Sequence, residues 1–344
     1  MSTSLFEALV PYGWSERVRA LWGDVGDPDL LPARVVRVER GAAVIVRADG
    51  SECTLRSEGP VAVGDWVAAG HDALHHVLPR WSAVTRADPA QSGAQSGTQV
   101  LASNVDVVVI TAPADRCSAS RVERELAVAW DSGARPLVVL TKADLDTAAL
   151  GRLRTRLTGV TCIGTSAQSG EGLGDLLGEI GPGRTGVLLG PSGAGKSTLV
   201  NALLGEAVQA TGSVRAGDRR GRHTTSSRQL LCLPGGGVLI DTPGVRSIAL
   251  VGDVDLDDVF PEIDAMAREC RFRDCRHETE PGCAVTDALA RGRLEPGRLA
   301  SFRKLSRESH ADRRQHDPVA RREAQRLWKL RALEARHHDK RRTG

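Results

Sequence analysis

The residues whose types and spacing speak most directly of chemistry are Gly190-Pro191-Ser192-Gly193-Ala194-Gly195-Lys196-Ser197. They fit G-x-x-x-x-G-K-[ST], in which glycines let the backbone curl so that successive N–H groups point at phosphate oxygens. Gly186-Val187-Leu188-Leu189 before them reads as a buried strand. Leu199, Val200, Ala202 and Leu203 after them read as a helix whose positive N-terminal end faces the anion. On this reading Lys196 reaches the β- and γ-phosphates and Ser197 places its hydroxyl on Mg²⁺, a hard cation that takes few protein ligands. Thr198 completes the nucleotide-binding run.

Upstream, the apolar stretch Pro136-Leu137-Val138-Val139-Leu140 ends in Thr141-Lys142-Ala143-Asp144, a near match to the N-K-x-D box of guanine-nucleotide-binding proteins. A carboxylate at Asp144 can accept hydrogen bonds from the guanine N1–H and N2 amino group. Opposite adenine that acceptor is left unpaired, which makes the selection strong. Lys142 would pack its stem over the base. Thr141 replaces the usual Asn, so an amide contact to base and phosphate loop is reduced to a hydroxyl, and somewhat weaker nucleotide binding is expected. A further strand, Val160-Thr161-Cys162-Ile163, leads to Thr165-Ser166-Ala167, similar to the S-A box whose backbone N–H meets guanine O6.

Only after the phosphate loop come Gly221-Arg222-His223-Thr224-Thr225 and Val238-Leu239-Ile240-Asp241-Thr242-Pro243-Gly244. Asp241 would hold Mg²⁺ through water, the Gly244 N–H would sense the γ-phosphate, and Thr225 or its neighbour Thr224 would close over the ion as a first switch. In ordinary small GTPases these parts precede N-K-x-D and S-A; here the order is circularly permuted. Val245 stands where many GTPases place a Gln that orients the attacking water, which an apolar side chain cannot do. Slow intrinsic hydrolysis is therefore expected, with the missing group supplied by another residue or by a partner. His223 is the candidate, and the alternative for it is a surface-loop histidine. Arg215, Arg219, Arg220 and Arg222 make this loop basic, which suits contact with RNA phosphates. Since the chain beyond the second switch leads into a C-terminal domain, nucleotide state could pull on that domain directly.

A second constellation reads Cys270-x4-Cys275-x-His277-x5-Cys283, with Pro281-Gly282 turning the chain. Three thiolates and one imidazole match a closed tetrahedral zinc site of structural type. The other cysteines, Cys53, Cys117, Cys162 and Cys232, are scattered singly, which fits reduced thiols and not a disulfide framework.

The elements that must position these residues follow from periodicity. Residues 5–24 carry a modest helical pattern. From Leu31 to about Thr85 the chain reads as short strands, 33–38, 43–47, 53–55, 65–68 and 76–78, separated by glycine turns: a small closed barrel of the OB type. Such barrels commonly bind oligonucleotides, but Trp66 and Trp81 are its only large rings, so base stacking is weakly supported. Strands at 105–110 and 136–140 flanking a helix at 121–130 give a βαβ rhythm and a parallel sheet. The expected division is an N-terminal helix and linker (1–30), an OB-like β-barrel (31–85), a linker (86–100), a permuted α/β P-loop GTPase domain (101–250), and a zinc-binding, mainly helical domain with a basic tail (251–344). Helices are expected at 284–289, 295–305 and 320–336. Of the 344 residues 41% are hydrophobic, enough for ordinary globular cores. The net charge of +3 conceals a tail, residues 301–344, with 14 Lys+Arg against 6 Asp+Glu, a footprint for a polyanion. No run of about 18 apolar residues and no signal peptide is present, so a cytoplasmic protein without membrane contact is expected.

The permuted order, the barrel-like segment before it and the Cys/His cluster after it resemble the bacterial small-ribosomal-subunit-dependent GTPases of the RsgA (YjeQ/EngC) family over nearly the full chain. The resemblance implies a GTPase, cycling between GTP and GDP, that binds the 30S subunit and its 16S rRNA late in maturation, is stimulated by it, and helps release assembly factors. It also implies Mg²⁺ with the nucleotide, one structural Zn²⁺ per chain, and a monomer. Two rival readings use the same residues. One is a GTP-dependent RNA-binding switch with negligible turnover, which Val245 favours; the other is a P-loop kinase using ATP.

Overall fold

The structure is a computed structural model of the chain, describing residues 3–39, 41–57, 59–87, 98–205, 228–242 and 254–316. It divides into two units: Met1–Thr85 with Val100–Ile248, and Arg86–Gln99 with Ala249–Gly344.

In the first unit a 3-10 turn at Thr3–Tyr12 and helix α1 (Glu16–Gly23) replace the single N-terminal helix that periodicity suggests. Pro11 and Gly13, the latter at φ +88°, break it. The barrel follows as β1 (Leu31–Glu39), β2 (Ala42–Arg47), β3 (Glu52–Ser57), β4 (Trp66–Ala69) and β5 (Ala73–Val77). Closure comes from β1 pairing with both β2 and β4, while β3 pairs parallel with β5. Alternate residues Ala33, Val35, Ala43, Ile45, Val67 and Ala69 point inward with Leu55 and Leu74, as the period-two geometry of strands requires. Two more strands, β6 (Ala83–Ala87) and β7 (Thr98–Ser103), form a separate two-stranded sheet.

The α/β part comprises β8 (Val107–Pro113), α2 (Ala119–Asp131), β9 (Arg135–Thr141), α3 (Ala149–Arg156), β10 (Cys162–Thr165), α4 (Leu173–Ile180), β11 (Thr185–Leu189), α5 (Lys196–Leu204), β12 (Gln229–Cys232) and β13 (Val238–Asp241). Its strand order is β10-β9-β8-β11-β13-β12, parallel except for β12. Helices cover the sheet, so Val107, Val108, Val109 and Ile110 are all buried and β8 reads as an unbroken apolar run. Leu199, Val200 and Leu203 of α5 and Leu176 and Ile180 of α4 pack on Val107, Val109, Leu137, Val139, Leu188 and Leu239.

The barrel continues this sheet. Arg37 of β1 pairs with Gln229 of β12, giving eleven hydrogen-bonded strands. At the junction Arg34 is fully buried, donates from Nη2 to Thr185 Oγ1 at 3.1 Å, and lies 4.7 Å over the Trp66 ring. Asp106 accepts the Thr185 N–H at 2.8 Å, and Asn104 Nδ2 donates to Gly64 O at 3.0 Å.

The second unit contains α6 (Pro261–Ala267), α7 (Ala284–Ala290) and α8 (Pro296–His316). The last runs well past the expected end at Leu305, because no glycine or proline follows until Pro318. Leu299 and Leu305 are buried on one face, Phe302 meets Phe260 edge-on at 5.5 Å, and Arg298 bonds Glu262 and Val259 O. The helix expected at 320–336 lies outside the described residues. Among the described residues no helix is long and apolar enough to cross a membrane.

Candidate functional site

The glycine-rich segment 190–195 joins the C-terminal end of β11, the strand between β8 and β13, to the first turn of α5, the usual ligand edge of an open parallel sheet. Gly190 is required there: its φ is +141°, and a Cβ would stand 2.2 Å from Thr111 Oγ1 and 2.6 Å from Thr111 O. The Thr111 hydroxyl in turn donates to Leu189 O at 2.7 Å, fixing the strand end. Gly195, at φ +86°, turns the chain into α5. Ser192, Gly193 and Thr198 are exposed, Pro191, Gly195 and Ser197 half-buried, and Ala194 buried.

Lys196 is buried and folded back on the loop, with Nζ donating to Gly190 O at 2.8 Å and Pro191 O at 2.9 Å. Burial pushes its ammonium down. Asp241 and Glu125 oppose that shift, and Arg121 adds to it.

The sheet brings the predicted guanine residues to the same edge. Thr141 ends β9 and pairs with Thr165 of β10, so Lys142-Ala143-Asp144 and Ser166-Ala167 leave adjacent strands side by side. Lys142 takes a left-handed backbone, φ +54°, and Asp144 is exposed in a single 3-10 turn. Ser166 is buried, and its N–H donates to Glu171 O while its hydroxyl accepts the Ser169 N–H. The residue that replaces the usual Asn reaches the loop with its hydroxyl, as expected. The Thr141 hydroxyl, buried, donates to Ala194 O at 2.6 Å, so the link to the phosphate loop that an Asn would make is kept by the shorter side chain.

Asp241, 3% exposed, ends β13 beside the phosphate loop, and Thr242 Oγ1 donates to Leu188 O at 2.6 Å, clipping the chain beyond it to β11. A buried carboxylate and the Ser197 hydroxyl at one edge are an all-oxygen donor set, which fits Mg²⁺. His223, Thr224, Thr225, Pro243, Gly244 and Val245 lie outside the described residues.

In the second unit one ligand atom each from Cys270, Cys275, His277 and Cys283 falls within 4.8 Å of the others. Zn–S bonds of about 2.3 Å and Zn–N bonds of about 2.0 Å give tetrahedral edges of about 3.8 Å between sulfurs and about 3.5 Å from sulfur to nitrogen. Cys270 Sγ lies 3.9 Å from Cys283 Sγ, and His277 Nδ1 lies 3.6 and 3.5 Å from those two sulfurs. The donor set and its spacing fit Zn²⁺. Around it, the Arg303 guanidinium donates to His277 O and the Phe302 ring lies 5.9 Å from the imidazole. Glu280 closes the loop: the N–H groups of Glu280 itself, Arg276, Glu278 and Thr279 hold its carboxyl down to about 2. Burial raises the Cys283 thiol, but bonds from Thr286 and His277 outweigh it and bring it to about 6.

Among the described residues of the barrel both large rings are engaged. Trp66 is buried between Arg34 and Trp14, whose ring meets it edge-on at 5.4 Å, and half-buried Trp81 has the Arg17 guanidinium 5.0 Å over its face. Sequence reasoning passed over Thr111 and Glu125. For Glu125 a signal existed: a carboxylate on the stripe that Val122, Leu126 and Ala129 bury on α2.

A family model described as RsgA GTPase matches residues 77–251. The chain is 46% identical to the Small ribosomal subunit biogenesis GTPase RsgA of Streptomyces coelicolor, over 96% of this chain and 94% of that one. It is 42% identical to the protein of the same name from Opitutus terrae, over 93% and 95%. Two solved structures share the fold. They are YjeQ from Thermotoga maritima (TM-score 0.60, 24% identity, 81% of this chain and 98% of that one) and YloQ, described as a circularly permuted GTPase (TM-score 0.57, 20% identity, 83% and 96%).

Proposed function

The chain belongs to the RsgA GTPase family and is a GTP hydrolase, and on that premise we propose that it acts late in maturation of the small ribosomal subunit, which stimulates its turnover. Support comes from relatives named for small-subunit biogenesis that match almost end to end, and from the basic tail at 301–344. The partners are the 30S subunit, its 16S rRNA and GTP, and the protein works as a cytoplasmic monomer.

The observation that carries the site assignment is the Thr141 bond to Ala194 O, which ties the guanine-selecting segment to the phosphate loop. Asp144 accepts from the guanine edge, Lys142 covers the base with its stem, Ala143 belongs to the same turn, and Ser166-Ala167 offer a backbone N–H to O6. Loop residues 190–195 and the first turn of α5, with Lys196, Ser197 and Thr198, wrap the phosphates. Lys196 exchanges its two carbonyl partners for β- and γ-phosphate oxygens, moving its charge to where negative charge develops. Ser197, Thr225 and Asp241 are the residues that would hold Mg²⁺, whose charge neutralises the same oxygens. The Gly244 N–H faces the γ-phosphate. Val245 cannot orient water, so His223, positioned by the ribosomal partner, takes that part. Zn²⁺ on Cys270, Cys275, His277 and Cys283 holds the second unit together.

The test is steady-state GTP hydrolysis by zinc-replete protein, alone and with 30S, 50S or 70S particles. Stimulation by 30S alone is the expected result. Flat turnover under every condition, with guanine-nucleotide binding intact, would replace this reading with that of a binding switch.

A further inference from the structure

Three consecutive carbonyls at the entry to the phosphate loop are each held by a side chain. Leu189 O accepts the Thr111 hydroxyl at 2.7 Å, and Gly190 O and Pro191 O accept Lys196 Nζ at 2.8 and 2.9 Å. Lys196 already has a part in the reaction, and Thr111 does not. Thr111 is fully buried on β8, one residue past Ile110, where the pairing of that strand with β11 ends opposite Leu189. Its other side stays in register with β9, Thr111 opposite Val139, and that ladder runs on to Pro113 opposite Thr141. The backbone of Thr111 is therefore fixed by a strand that lies outside the loop. A β-branched side chain is also stiff at its first torsion, so the hydroxyl has little freedom to follow a displaced partner.

We propose that Thr111 is a positioning residue for Lys196: by holding the Leu189 carbonyl it fixes the peptide that enters Gly190, and so sets the place from which the ammonium moves onto phosphate. The inference rests on the reading of the phosphate loop as the GTP site and adds to it a residue outside the loop motif. The route is short. The Leu189 carbonyl and the Gly190 N–H share one planar peptide, so a bond that aims the first also aims the second. Gly190 lies directly against Thr111 at φ +141°, and a Cβ there would stand 2.2 Å from the Thr111 hydroxyl and 2.6 Å from its carbonyl, so no space remains between the glycine and β8. The Gly190 carbonyl is in turn one of the two that hold the ammonium. Without the hydroxyl the first peptide can tilt, the Gly190 carbonyl moves with it, and Lys196 starts from a displaced position. A cation aimed at developing negative charge loses most where that charge is greatest, in the transition state. Misplacement of such a group by about 1 Å costs up to about 100-fold in rate. Thr141 holds the opposite end of the same loop, at Ala194. The two threonines, on adjacent strands, thus have separate parts: Thr141 keeps the loop shaped for binding, and Thr111 aims the lysine.

The experiment is single-turnover hydrolysis of GTP by the full-length, zinc-replete protein, with enzyme in excess and at saturating concentration, together with equilibrium titration of GDP. Only folded, nucleotide-bound enzyme sets the first-order rate, so a loss of folded protein alone leaves it unchanged. Thr111→Val keeps size and branching and removes the donor. Its rate should fall about 10–100-fold. Its Kd for GDP should stay within about threefold of wild type, because the loop N–H groups supply most of the ground-state hold on phosphate. Thr111→Ser retains the donor and should restore the rate to within about threefold. Ser82→Ala is the control for loss of a buried bond: the Ser82 hydroxyl, 5% exposed, donates to Val105 O at 2.6 Å, two residues before β8 begins. That exchange should lower thermal stability and leave the rate unchanged. If Thr111→Val does not accumulate as folded protein, Thr111→Ala carries the same comparison with Thr111→Ser. A rate for the variant without the donor within about twofold of wild type, or a rate lost equally in Thr111→Ser, would overturn the proposal. So would a rise in the Kd for GDP by the same factor as the loss of rate, which would make the hydroxyl a general support of the loop. Absence of guanine-nucleotide binding to the wild type would instead overturn the reading of the phosphate loop, and this inference with it.

Discussion

Replacing Thr141 by Val tests the link between base selection and phosphate binding. The exchange keeps shape and burial but removes the hydroxyl that donates to Ala194 O at 2.6 Å. Ala194 is 1% exposed and Thr141 is 5% exposed, so water cannot easily replace the lost donor. A buried carbonyl deprived of its partner costs about 1–3 kcal/mol. Gly195, next in the chain, has its Cβ position only 3.5 Å from the same hydroxyl, so the loosened segment is the one whose N–H groups must face phosphate. Nucleotide binding then has to restore an ordered loop, and the cost falls on affinity. A loss of about 1–2 kcal/mol corresponds to a rise in Kd of about 5–30-fold. Titration of a fluorescent GDP or GTP derivative measures it directly, with hydrolysis at saturating GTP as the control for chemistry. Thr141→Ser, which keeps the donor, should stay within about threefold of wild type. If Thr141→Val binds both nucleotides within about twofold of wild type, the bond seen here does not order the loop, and the reasoning that ties the two segments fails.

Gly190→Ala should abolish nucleotide binding or accumulation of folded protein, because a Cβ 2.2 Å from Thr111 Oγ1 and a φ of +141° together exceed about 3 kcal/mol of strain; ordinary expression with wild-type affinity would contradict the loop geometry. Stripping zinc with a strong chelator, or exchanging Cys283 for Ser, should lower helical circular dichroism and bring metal content from about one zinc per chain towards none. Retention of α6–α8 helicity without metal would mean the cluster is not structural. Glu125 also makes stability depend on pH. Its folded proton affinity is raised from 4.5 to about 7, so its contribution is fully present below pH 4.5 and lost as pH rises through about 7. The nucleotide-free Glu125→Gln variant should therefore melt above wild type at about pH 8, by up to about 3 kcal/mol, with the gap falling below about 1 kcal/mol by about pH 5; equal melting at both pH values would show that the carboxylate is solvated.

Much of this was legible residue by residue. Strand β8 announces itself because both faces are covered, so no polar alternation interrupts 107–110. Helix α4 did not, since Gly174 and Gly178 depress its propensity; it forms because Leu176 and Ile180 are buried against the sheet. Strand β12 is four residues long and carries no pattern of its own. It exists because β13 and β1 lie on either side to receive its hydrogen bonds. Trp66 reads equally as a stacking platform and as core, and only packing against Trp14 and Arg34 decides for core.

The sequence by itself determined the order of the nucleotide motifs, the glycine-rich loop and the membership of the Cys₃His cluster. Those are local patterns: glycine positions, a Lys-Ser pair and Cys/His spacing act within a few residues of chain, where bond geometry limits what can form. The tertiary structure alone decided what joins the parts. The Thr141 bond to Ala194 spans 53 residues, the Arg34 bond to Thr185 spans 151, and the barrel becomes part of the central sheet through Arg37 and Gln229. Such contacts depend on strand order and register, which are settled when hydrophobic faces pack together and not by the identity of neighbours along the chain.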